Sequence, residues 1–137
     1  MDGNGMPLSV TSTPASGSER EQVSPLLQRV KVYHGYGRPR RCPNEIHADR
    51  GCDSRILRIF LTKKGVRPVI PKRTWKGRRQ PSGKKVPTST SRFQVERCFA
   101  WMQRKFRRLV ARWERRDLYL NGFLQISIIM IWEDKLI

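Results

Sequence analysis

Apolar residues recur along the chain in two helical patterns and several short strand-like ones. In RFQVERCFAWMQRKFRRLVARWER, 92–115, the residues Val95, Phe99, Met102, Phe106, Leu109 and Trp113 follow at steps of 4, 3, 4, 3 and 4. Those steps trace one face of an α-helix, so an amphipathic helix is expected with these six side chains against a core. The next segment, LYLNGFLQISIIMIW at 118–132, is apolar nearly all round. It predicts a second helix, central in the packing, so the chain should end in a helical pair. The segment contains Asn121, Gly122, Gln125 and Ser127. It is also shorter than the roughly 20 residues a membrane span needs, and it is read as a buried helix.

Upstream the pattern shortens. CDSRILRIFLTKKG, 52–65, reads as a helix with Ile56, Leu57, Phe60 and Leu61 on its apolar face. Ser54 or Asp53 can cap it, and Gly65 ends it. EIHAD, 45–49, and VRPVIP, 66–71, read as strands. Strand, helix and strand joined by short loops predict a parallel pair with a right-handed crossover. DGNG at 2–5 is a turn signal, and PLSVTST after it alternates Leu8 and Val10 with polar neighbours, as a strand does. The chain therefore reads as opening at the tip of a hairpin. SGSEREQVSPLLQRV reads as a helix interrupted by Pro25, with Ser18 as N-cap and Glu21 completing a capping box. YHGYGRPRRCPN, 33–44, is a basic loop. KRTWKGRRQPSGKKVPTSTS, 72–91, is a flexible basic loop: a solvated linker, or a segment lying along a phosphate backbone with Trp75 free to stack.

Charge decides the class of partner. In 137 residues, 29 Lys+Arg stand against 11 Asp+Glu, a net +18. Self-repulsion of that size calls for a polyanion. Nucleic acid is the first candidate and an anionic membrane surface the second; charge does not separate DNA from ribosomal-type RNA. Cys42, Cys52 and Cys98 show no CxxC spacing, and His34 and His47 complete no zinc set. The N-terminus lacks the basic and apolar regions of a signal peptide. A reducing, cytoplasmic setting follows, with no membrane partner.

Two acids stand out against this background. Glu96 lies alone near the start of the arginine-crowded helix, on a stripe with Arg92, Gln103 and Arg107, while Arg97, Arg104 and Arg108 point away from the core. An ion pair with Arg92, worth only a few tenths of a kcal/mol, would account for it. Asp49, in ADRGCDS at 48–54, falls at the end of a predicted strand before a glycine turn and a helix. Ligands of α/β sheets gather at the carboxyl ends of strands. Two such carboxylates can share a divalent cation such as Mg²⁺ or Mn²⁺, with phosphate oxygens completing its shell. In that reading Asp49 and Glu96 are catalytic and metal-binding. Arg92, Arg97, Arg104, Lys105, Arg107 and Arg108 bind DNA, with Lys72, Arg73 and Lys76 of the basic loop.

ADRGCDSRILRIFLTKKGVRPVIPKR resembles the ADKGYDS…PVIP block of bacterial insertion-sequence DDE transposases of the family-five type. RFQVERCFAWMQRKFRRLVARWER resembles their VERTFAW…RWER block, and DGNGMPLSVTSTPASGSEREQVSPLLQRV their DGNG…TPAS block. The resemblance implies an α/β, ribonuclease H-like fold, here truncated: a mixed sheet with flanking helices and three metal-binding acids. Asp49 then stands in the second aspartate's place and Glu96 in the glutamate's. Arg92 matches the arginine of the family's Y-x2-R-x3-E-x6-K signature. Ser89 stands where that signature has Tyr, Gln103 where it has Lys, and Cys52 where an aromatic is usual.

By resemblance the first aspartate lies upstream of the DGNG block, and Asp2 belongs to the turn. Residues 1–137 are therefore expected to be the C-terminal part of a catalytic domain that does not cut DNA alone, unless an upstream reading frame is joined by frameshifting. The resemblance implies DNA partners, both element ends and target, and a nucleoid-associated location. A second copy or an intact transposase is a further expected partner. Three other readings stay open: a non-catalytic or inhibitory DNA-binding protein, a ribosomal-type RNA binder, and a remnant that does not fold.

Overall fold

A computed structural model describes residues 1–33, 35–73, 89–111 and 115–136, with the backbone alone at 89–92 and 136. The chain divides into two compact units, Ser18–Ser89 and the combination of Met1–Gly17 with Thr90–Ile137.

The first unit is the expected strand–helix–strand. Strands β1 (Glu45–His47) and β2 (Arg67–Val69) pair in parallel, with Glu45 opposite Arg67, Ile46 opposite Pro68 and His47 opposite Val69. Helix α2 (Arg55–Lys63) connects them, after helix α1 (Glu19–Arg29) and a 3₁₀ turn at Arg50–Cys52. Ser54 caps α2 by accepting from the Leu57 N–H at 3.1 Å. Its other end is closed by Gly65 at φ 72°, with the Val66 N–H bonded to the Leu61 carbonyl and the Gly65 N–H to that of Thr62. That is the Schellman arrangement, in which a left-handed residue lets the chain turn back onto the helix. The turn delivers Val66 and Ile70 into a core with Leu27, Cys52, Leu57 and Leu61, with Val23 of α1 packed against it.

Two expectations fail in this unit. Ile56 is 82% exposed, because the buried stripe of α2 is Leu57 and Leu61, one turn apart. Ser18 occupies the N-cap of α1 in extended conformation, yet its side chain makes no capping bond, so the expected box with Glu21 does not form. Pro25 sits within α1, and the helix runs on through it. The sheet among the described residues is this parallel pair; further strands of a mixed sheet are not among them.

In the second unit, helices α3 (Ser89–Lys105) and α4 (Asp117–Leu136) form the expected helical pair. DGNG does form a turn: Asp2 Oδ1 accepts from the N–H groups of Asn4 and Met6, and Gly5 adopts φ 83°. The segment after it is not a strand. Its backbone is held by side chains of α4 instead. Trp132 Nε1 donates to the Pro7 carbonyl at 2.8 Å and Gln125 Nε2 to that of Val10 at 3.1 Å. Asn121 accepts from the Ser12 N–H at 3.0 Å. Of the expected alternating pair Leu8 and Val10, Val10 packs against the core, together with Met6 before the segment, and the polar partners lie on a helix. Extended backbone needs its N–H and C=O groups satisfied, and a neighbouring strand is only one way.

The apolar face of α3 is rotated from the expected one. Cys98 and Met102 are buried with Ile128 and Ile131 of α4, while Phe99 is 50% exposed and Val95 is exposed too. The helix stops at Lys105 and passes into a 3₁₀ turn, Arg107–Leu109, so the six-residue stripe cannot continue as one line. Phe106 and Leu109 still pack against the core from that turn. Trp113 lies outside the described residues. Nor is α4 central: Ser127, Ile128 and Ile131 are buried, but Ile129 is 65% exposed and Leu118, Tyr119 and Ile126 are exposed with it. No described helix is long and apolar enough to cross a membrane.

Candidate functional site

Asp49 stands where a strand-end ligand was expected. It follows β1 in extended conformation (φ −74°, ψ 173°) and caps the 3₁₀ turn, its Oδ1 accepting from the Cys52 N–H at 3.1 Å. Gly51 makes room for this, since a Cβ there would lie 3.2 Å from Oδ1. The carboxylate is exposed but held by its own turn. Burial pushes the Cys52 thiol up to about 11, aided by its hydrogen bond to Asp49 and that residue's charge. Cys52 is thus a neutral packing residue rather than a nucleophile.

Asp53, four residues on, has a role the sequence reading missed. It does not cap α2, which Ser54 does. Its Oδ1 accepts from Arg58 Nε at 2.8 Å and its Oδ2 from the Arg73 backbone N–H at 2.6 Å. Arg58 in turn donates to the Ile70 carbonyl at 2.7 Å. Asp53 and Arg58 together pin the chain leaving β2, and with it the root of the basic segment. Burial pushes the Asp53 carboxyl up, but the Arg73 N–H and the Arg58 guanidinium outweigh it and hold the group below its usual range.

Glu96 lies exposed in the first half of α3. Its expected partner Arg92 has no described side chain. Of the expected cationic residues, Lys72, Arg97, Arg104, Arg107 and Arg108 are exposed. Arg97 lies over the Phe93 ring at 5.9 Å and Arg108 over Phe123 at 4.9 Å. Both lie within cation–π range of their rings. Lys105 is engaged differently, in an ion pair with Asp134 of α4. Lys76, Trp75 and most of the 72–91 loop fall outside the described residues, although 89–91 begin α3 rather than ending a loop.

The donor set can be weighed against a divalent ion. Mg²⁺ takes hard oxygen ligands and retains several waters, so one or two carboxylates suffice to hold it. Asp49 offers such an oxygen, exposed and pre-positioned, at a strand end. Among the described residues, no group of three or more His, Cys, Asp or Glu side chains is assembled. The three-acid set implied by the resemblance is therefore not seen as a cluster there.

An α/β unit with an acid at its strand end, together with a helical unit edged by arginines, has the make-up of a polyanion-binding protein. The family can be stated more closely. The transposase DDE domain matches residues 1–131, and the chain belongs to that family. It is 36% identical over 131 residues to the putative transposase for insertion sequence element IS402 of Burkholderia cepacia, covering 95% of this chain and 58% of that protein. It is 29% identical over 136 residues to the putative transposase for insertion sequence element IS6501 of Brucella ovis, covering 96% of this chain and 92% of that one. The chain thus spans under two thirds of the first relative and nearly all of the second. No solved structure matches it.

Proposed function

We propose that the chain serves the transposition of an insertion sequence by binding DNA, with Asp49 and Glu96 as metal-binding acids of the DDE pattern. The observation that carries this is the family match along residues 1–131. The reading is supported by Asp49, which follows β1, and Glu96, which lies in the arginine-edged α3. Arg97, Arg104, Arg107 and Arg108, with Lys72 and Arg73 at the root of the basic loop, would bind phosphates along element ends and target DNA. Arg92 and Lys76 are assigned to the same task by their sequence positions. Lys105 contributes only if it leaves Asp134.

A bound Mg²⁺ or Mn²⁺ would supply charge stabilisation at the phosphodiester. The chain's own part is to present Asp49, fixed by the 50–52 turn, and Glu96, and to hold the backbone with arginines. Two acids of the triad are assigned in this sequence and none to the first aspartate. We therefore expect binding without strand cleavage by the chain alone, with cleavage and strand transfer belonging to a longer or assembled transposase. The ribonuclease H-like fold, a homodimer or association with an intact transposase, and a cytoplasmic, nucleoid-associated location complete the proposal.

The second reading is a purely DNA-binding, inhibitory role. It is favoured by the exposed arginines of α3 and the following turn, whose binding requires neither acid.

The test is Mg²⁺- or Mn²⁺-dependent nicking of labelled element-end DNA by the purified chain, with Asp49→Ala and Glu96→Ala alongside. Salt-sensitive binding without nicking is expected from all three proteins. Nicking by the parent chain that both variants lose would refute the claim of inactivity and establish the two acids as sufficient. Absence of DNA binding at low salt would refute the proposal as a whole.

A further inference from the structure

The DGNG turn has no role in the reading above, yet it forms the wall of a cavity. Within the helical unit, a space of about 390 Å³ lies between this turn and one face of α3, lined by Asn4, Gly5, Arg97, Trp101, Arg104 and Lys135 among others. Arg97, Trp101 and Arg104 are four and then three residues apart, so the helix itself brings them onto one stripe. The turn is fixed in place: Gln94 Nε2 of α3 donates to the Gly3 carbonyl at 3.0 Å. Gly5 is needed there for its φ of 83°, and the Arg97 guanidinium lies beside it. Lys135, near the end of α4, adds a third cation. No carboxylate lines the cavity, and no ion pair among the described residues involves Arg97, Arg104 or Lys135.

Three cations around one concave space repel each other unless an anion sits among them. The size falls within the range of small-molecule sites, roughly 300–1,000 Å³, and exceeds what a bare phosphate needs. Trp101 supplies an aromatic wall. A duplex keeps its bases stacked inside and offers a protein its outer backbone and groove edges. It cannot fill a pocket with an aromatic side. An unpaired nucleotide can, with its phosphate among the cations and its base against the indole.

We propose that this cavity is a binding site for one unpaired nucleotide of single-stranded DNA. The inference rests on the DNA-binding reading above and specifies the form of DNA that the helical unit takes.

The test compares a fluorescein-labelled oligothymidylate of about ten nucleotides, enough to fill a single-strand site, with a blunt duplex as ligands of the full chain. Anisotropy titrations are run across salt concentrations for the parent chain, Lys135→Glu, Trp101→Leu and Trp101→Phe. Lys135→Glu, at a cation of the cavity with no assigned part in duplex binding, should lose about fivefold in affinity for the oligothymidylate, with a shallower salt dependence, and about twofold or less for the duplex. Trp101→Leu should lose about tenfold on the single strand, and Trp101→Phe, which keeps a ring, should recover most of it. Should Trp101→Leu fail to fold by circular dichroism, Lys135→Glu and Trp101→Phe carry the test. Equal losses on both ligands, or an unchanged single-strand affinity, would overturn the pocket while leaving the general DNA-binding reading standing. A parent chain that binds neither ligand would overturn the DNA-binding reading and the pocket with it.

Discussion

Asparagine at position 53 is nearly the same shape as aspartate, and the structure says it should still be costly. The Asp53 side chain is 15% exposed and its partner Arg58 28%, so solvent screens the pair only in part. The carboxylate accepts two bonds, from Arg58 Nε at 2.8 Å and from the Arg73 N–H at 2.6 Å. Hydrogen bonds to charged groups contribute about 1.5–3 kcal/mol each. An amide can accept one of the two through its oxygen, as a weaker neutral bond of about 1 kcal/mol. Its NH₂ must then face the other donor. The net loss should be about 2 kcal/mol, which at an m-value of about 1.5 kcal/mol/M shifts the urea midpoint down by over 1 M.

The pH dependence sharpens the test. Asp53 is held below its usual range in the folded chain. Its contribution is therefore fully present above the unfolded-state value, near 3.9, and is lost as pH falls through the lower folded value. The gap between parent and Asp53→Asn should stay flat from about pH 7 to 5 and close below about pH 4. Equilibrium urea unfolding by tryptophan fluorescence, repeated at several pH values, reads both quantities. A gap under about 0.5 kcal/mol, or one that stays constant into strong acid, would show that the Arg58–Asp53–Arg73 anchor contributes nothing to the fold.

Two further substitutions probe each unit's own packing. Leu61 is 0% exposed at the centre of the strand–helix–strand core, so Leu61→Ala should destabilise by about 3 kcal/mol and lower the melting temperature by calorimetry. Asn121 bonds to Ser12 and Asp117, and Asn121→Ala should cost about 1–2 kcal/mol, leaving the Ser12 N–H without its acceptor. Amide exchange should then speed up at residues 8–12 and hardly change in α2; uniform acceleration would contradict the local tether.

What the sequence made legible follows from how local each signal is. Ser54 and Gly65 marked both ends of α2 because a cap and a left-handed stop act within one turn. The parallel pair followed from a strand–helix–strand order that leaves few topologies. Asp49 at a strand end was readable for the same reason. The failures lie where partners are distant in sequence. Val10 alternates as a strand does, but nothing in PLSVTST reveals that its carbonyl is met by Gln125. The stripe through Val95 and Phe99 carries more apolar surface than the one that exchanges them for the small side chain of Cys98. Burial went to the pair that lets α3 meet Ile128 and Ile131. Arg73 was singled out as a cation, and its backbone N–H, which anchors the segment, carries no signal in a sequence.

The acids show why so much positive charge survives in a folded chain. Asp2 shapes the first turn and Asp49 the one after β1, each by accepting backbone N–H groups. Asp117 holds Asn121 and Ser12 together. Glu45 joins His47 and Arg67 across the parallel pair, Asp53 takes Arg58, and Asp134 takes Lys105. These six carboxylates sit where local architecture needs an acceptor, and the ion pairs of Arg58, Arg67 and Lys105 each tie a cation to its own unit. Arg97, Arg104 and Lys135 enter none of those pairs, and they surround a single cavity. A chain at +18 that places its acids this way leaves repulsion unrelieved where its cations converge. Added salt should therefore raise the melting temperature of the free chain by screening it, and should weaken DNA binding for the same reason. Opposite salt effects on stability and on binding are the signature expected of charge kept for a partner; a melting temperature that falls between about 50 and 300 mM NaCl would show that the structural ion pairs outweigh the repulsion.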